Sequence, residues 1–134
     1  MRELWCDSPV AERLDLHAAT KRLLAAGGGY EVVHASPGLE LGVYVLVAPE
    51  PDRQQPHDDD EVYVVLEGSG VLDVEGERVE LDEGHSAFVP AGAEHRFVGY
   101  EQLSVLVIFS QERRGPDAAV EEGPGGSAAA SGST

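Results

Sequence analysis

The sequence predicts an all-β domain, a sandwich or barrel of short strands with one short helix ahead of it. Three observations carry this expectation. Short apolar or alternating runs recur along the chain: YEVVHA, LELGVYVLVA, EVYVVLE, GVLDVEG, RVEL, SAFVP, HRFVGY and LSVLVIFS. Turn chemistry separates them, as EGSG after Leu66, EGE around Gly76, DEG before His85 and PAGAE before His95, and such even spacing is the mark of a sandwich or barrel. Finally, no long helical stretch interrupts them, which disfavours a parallel βαβ architecture.

Toward the N-terminus, LDLHAATKRLLAA places Leu14, Leu16, Leu23 and Leu24 among good helix formers, and Gly27 to Gly29 stop the pattern, so a short helix is expected there. His17 reads as a residue of its surface. From Gln111 onward the chain is dense in Gly, Ser, Ala and Pro with almost no large apolar side chain; it cannot bury enough surface to offset chain entropy and is expected to be disordered. The expected organisation is a single domain: an N-terminal segment, 1–38, with the helix and a lead-in strand; a barrel, 39–110; and a tail, 111–134.

Composition narrows the function. Nine Lys and Arg stand against 25 Asp and Glu, a net charge of -16, which works against binding a nucleic-acid backbone or an anionic membrane surface. The only cysteine, Cys6, excludes an internal disulfide. The opening residues lack the apolar core of a secretion signal, and no run reaches membrane-spanning length. The expectation is a soluble protein of a reducing cytoplasm.

The stretch RQQPHDDDEVYVVLEGSG, from Arg53 to Gly70, gathers His57, three aspartates and Glu61 just before an apolar run. DDD is poor strand material and good turn material. The expectation is therefore a bend at Asp58 to Asp60, with Gln55 and His57 ending one strand and Glu61 beginning the next, antiparallel to it. Further on, His95 follows a Pro-x-Gly turn and starts an apolar strand, so it too can point inward, with Phe97 two residues on.

Together these stretches resemble the cupin superfamily, in its small single-domain, conserved-barrel form. The first cupin motif, G-x5-H-x-H-x3-4-E-x6-G, is matched by His57, Glu61 and Gly68, with Gln55 where the first histidine stands and no glycine at the motif's initial position. The second, G-x5-P-x-G-x2-H-x3-N, is matched by Gly84, Pro90, Gly92 and His95, with Gly99 in place of Asn. The resemblance spans Leu39 to Phe109. It implies a cupin double-stranded β-helix, a jelly-roll-like barrel, and a metal-ligand set of Gln55, His57, Glu61 and His95. Some cupin phosphomannose isomerases are similar in having Gln in that role beside Zn. The other candidate for the fourth ligand is Asp59.

Two imidazoles and a carboxylate suit Fe(II) and also accept Mn, Ni, Cu or Zn, so one divalent ion is expected without its identity being fixed. The alternative is a metal-free barrel in which the same groups bond each other and water. Tyr63, Val65, Phe88 and Phe97 are expected to line the barrel, with Tyr63 the candidate for a substrate contact or proton donor. His85 reads as a surface residue, His34 is undecided, and Cys6 reads as incidental. The resemblance implies a metal-dependent enzyme of dioxygenase, isomerase or lyase type on a small polar organic molecule; the alternative is a non-catalytic binding or sensing module. Cupins of this size commonly pair through strand edges, which implies a homodimer.

Overall fold

The computed structural model describes residues 11–110; Cys6 and the tail 111–134 lie outside them. A helix, α1 (Leu16–Ala25), precedes eight strands: β1 (Gly29–Ser36), β2 (Leu39–Val47), β3 (Asp60–Gly68), β4 (Gly70–Val74), β5 (Glu77–Leu81), β6 (Ser86–Val89), β7 (His95–Val98) and β8 (Gln102–Ser110). All eight apolar runs are strands. They form a five-stranded sheet in the order β1-β2-β8-β3-β6 and a three-stranded sheet in the order β5-β4-β7. Every pairing within them is antiparallel.

The barrel core lies between the sheets. Tyr63 and Val65 of β3, Leu72 of β4, Phe97 of β7, and Leu103, Val105 and Val107 of β8 are its buried members, with Leu46, Leu81 and Val89. Alternation puts residues two apart on one face. β2 is covered on both sides: Leu46 faces this core, while Val43 and Val45 join Ala19 and Leu23 of α1 in a second cluster. That double covering explains why β2 reads as a nearly continuous apolar run rather than an alternating one. The helix is capped by Asp15, whose side chain accepts from the Ala18 amide at 3.0 Å. Arg22 also reaches from α1 to Glu31 of β1 in an exposed ion pair.

Two expectations are corrected. The segment before Glu61 is not a strand paired with β3, because β3 pairs with β6 and β8, and residues 51–57 carry no strand. Pro51 and Pro56 each remove a backbone donor from that segment, which suits a loop better than a ladder. Phe88 does not line the barrel: it is 59% exposed. Its partner in β3 is Val62, whereas the inward Glu61 and Tyr63 lie opposite Val89 and Ala87, so register places Phe88 on the outer face.

Candidate metal centre

Three elements converge on one point. Glu61 projects from the second residue of β3 into the barrel and is 1% exposed; His95, at the start of β7, is 6% exposed. His57 reaches in from the loop, with its backbone carbonyl tied to the Gly92 amide at 2.7 Å and its ring against Phe109 at 4.9 Å between centroids. One donor atom from each of the three lies within 4.8 Å of the others. The Glu61 carboxylate is 3.1 Å from His95 Nε2 and 3.9 Å from His57 Nε2.

The state of Glu61 tests whether these residues suit a cation. Both carboxylate oxygens are buried, and neither accepts a well-directed hydrogen bond from the described residues, although His95 Nε2 stands 3.1 Å from one of them. A buried carboxylate without such partners is costly, and a shared cation between it and two imidazoles removes the cost. His95 is also oriented as ligating histidines are: Nδ1 donates to the Ala93 carbonyl at 2.8 Å, which leaves Nε2 facing Glu61. Burial pulls its pKa down, but the Glu61 carboxylate and the Ala93 carbonyl outweigh that and hold it above the ordinary histidine value. The residues present therefore fit a divalent ion.

Behind the three lies a buried polar chain. The Tyr63 hydroxyl donates to Gln54 Oε1 at 2.9 Å and sits 3.0 Å from His95 Nε2. Gln54 Nε2 in turn donates to Asp52 at 2.6 Å. Asp52, 6% exposed, also accepts from Tyr44 Oη at 2.6 Å, the Gln54 amide at 3.2 Å and the Phe97 amide at 2.8 Å. Burial, with the charge of Glu61, pushes the Tyr63 phenol far above its ordinary value, so it keeps its proton.

Beside the centre opens a cavity of about 360 Å³, lined by Tyr30, Glu40, Tyr44, Gln54, His57, Asp59, Glu61, Val107 and Phe109. Of the residues singled out in the sequence, His57, Glu61 and His95 come together. Gln55 is exposed and lines a second cavity, which Gln54 and His95 also border. Its neighbour Gln54 turns toward the buried chain instead. Tyr63 is completely buried and is not among the residues lining the cavity beside the metal ligands. His17 and His85 are exposed, and His34 is half-buried between Ser36 and Glu12. Sequence reasoning missed Asp52, Gln54, Tyr44, Tyr30 and Glu40. The last three stand at alternate or paired positions of β1 and β2 and carried a readable signal; the loop residues carried none.

Comparison with known proteins agrees with this architecture. The cupin domain family matches residues 43–109. An uncharacterized protein of Streptomyces coelicolor is 38% identical over 87 residues, which cover 64% of this chain and 83% of that one. The chain belongs to the cupin family. An acireductone dioxygenase of Leishmania major is 36% identical over 110 residues; the match takes in 71% of this chain but only 31% of that enzyme. Among solved structures, a Thermus thermophilus protein superposes with a TM-score of 0.61 at 29% identity, covering 75% of this chain and 97% of that one. No helix among the described residues is long and apolar enough to cross a membrane.

Proposed function

We propose that this cupin is a metal-dependent enzyme of the oxygenase type, acting on a small polar organic molecule held in the cavity beside His57 and Glu61. The observation that carries the reading is the donor set. Two imidazoles and one carboxylate, gathered within 4.8 Å with His57 and Glu61 bordering a cavity, are the ligands of a facial triad that leaves coordination positions open. The similarity to acireductone dioxygenases supports the same class. When bound, a divalent ion supplies Lewis acidity and, if it is iron, one-electron chemistry.

The chain's own residues do the rest. His57, Glu61 and His95 would hold the ion; the Ala93 carbonyl fixes which nitrogen His95 presents; Phe109 packs edge-on against the His57 ring. Tyr63 keeps its proton and braces His95 from behind. The ligand set proposed is therefore His57, Glu61 and His95, with Gln54 and not Gln55 as the nearest glutamine.

The test uses the protein reconstituted with Fe(II) and exposed to nitric oxide. An open facial site gives the high-spin iron–nitrosyl signal in electron paramagnetic resonance. Stoichiometric iron without that signal contradicts the oxygenase reading and leaves a closed site, suited only to a binding module.

A further inference from the structure

We infer that the cavity beside the metal ligands selects a molecule rich in hydroxyl groups, a vicinal diol or larger polyol, over acceptor-only molecules of the same size. The inference rests on the reading of this cavity as the ligand site and names the chemistry it takes.

The argument starts from protons. A phenol has one to donate, and both tyrosines lining the cavity have theirs engaged. Tyr30 Oη donates to Glu40 at 2.8 Å, and Tyr44 Oη donates to Asp52 at 2.6 Å. Bonds to carboxylates are roughly twice as strong as neutral ones, so a ligand does not easily recapture either proton. What remains on both hydroxyls is lone pairs. Asp52 is fixed in this role because it is buried and accepts three further bonds.

Gln54 is bound at both ends. Its Oε1 accepts from Tyr63 and its Nε2 donates to Asp52, which leaves a single amide hydrogen to offer. An acceptor-only molecule finds the ion and that one amide hydrogen, but meets only lone pairs at the two tyrosine oxygens. A hydroxyl carries both a donor and acceptors, so it pairs with the tyrosine oxygens and with the remaining Gln54 hydrogen alike.

The placement of Tyr30 is built into the fold. Its hydroxyl end lies over Gly42 of β2, where any Cβ would collide with it. The ring also meets Tyr44 edge-on at 6.2 Å. A side chain larger than hydrogen at position 42 would push this acceptor away from the cavity.

The test measures dissociation constants for two probes on one ring, using protein carrying its full complement of metal: 1,2-cyclohexanediol and 1,2-dimethoxycyclohexane. The diol is expected to bind about tenfold tighter than the ether. Tyr44→Phe and Tyr30→Phe should each weaken the diol roughly threefold to tenfold and leave the dimethyl ether unchanged. Tyr30 is 41% exposed, so its variant is expected to fold whatever happens to Tyr44→Phe. The proposal is overturned if the ether binds as tightly as the diol, if the diol does not bind, or if the diol ignores both substitutions. A protein that takes up no metal contradicts the metal reading alone, and the same two probes on it still decide the selectivity.

Discussion

At Gln54 and Gln55 two identical side chains meet opposite fates. Gln54 bridges Tyr63 and Asp52, whereas Gln55 is exposed. Gln54→Leu leaves the Tyr63 hydroxyl and one face of the Asp52 carboxylate without their partner, and a buried polar group so left costs about 1–3 kcal/mol. Gln55→Leu should stay within about 0.5 kcal/mol of the parent. Denaturant unfolding of the two variants checks the contrast; equal losses would mean that the buried chain does not hold Gln54. The sequence pointed to Gln55 because it lies two residues before His57, and that inference needs a strand. Between Pro51 and Pro56 there is none, so period-two reasoning has no purchase. Glu61 and His95 were legible for the opposite reason: they stand at the starts of real strands, and turn residues fix where those strands begin; His57 shares the loop with Gln55 and was picked out by the motif resemblance.

At the scale of elements, strand identity was written in apolar runs and turn signals, and strand facing was not. Phe88 shows the difference. Its hydrophobicity suggested the interior, but the face it takes is set by register against β3, a long-range relation that no local pattern contains. The junction of β3 and β4 is more legible. Gly68 sits at φ +83°, and a Cβ there would run into the Gln102 carbonyl of neighbouring β8. Both the backbone conformation and the close approach require glycine. Gly68→Ala is therefore expected to cost more than about 1 kcal/mol and to disturb the β3–β8 ladder, seen as lost amide-exchange protection at Leu103 and Val105. Unchanged protection would show that β8 yields without cost.

For the whole molecule, the tyrosines offer a readout of both fold and cavity. Burial is the largest cause raising the pKa of Tyr30, Tyr44 and Tyr100, and nearby carboxylates add to it. Above a pH of about 10 the unfolded chain loses phenolic protons that the folded chain keeps, so stability declines as pH rises from there toward the folded values. Phenolate absorbance should accordingly appear with loss of near-ultraviolet dichroism rather than before it. Phenolate forming in an intact fold would place these hydroxyls in solvent and undo the argument about their protons.

The central claim is that His57, Glu61 and His95 hold one divalent ion and Gln55 does not. Elemental analysis of protein purified without an affinity metal column tests it most directly, on the parent and on His57→Ala, Glu61→Gln, His95→Ala and Gln55→Ala. The account predicts close to one ion per chain in the parent and in Gln55→Ala, and loss of tight binding in the other three, since each removes one of three ligands. Full occupancy in those three variants, or loss in Gln55→Ala alone, would contradict it.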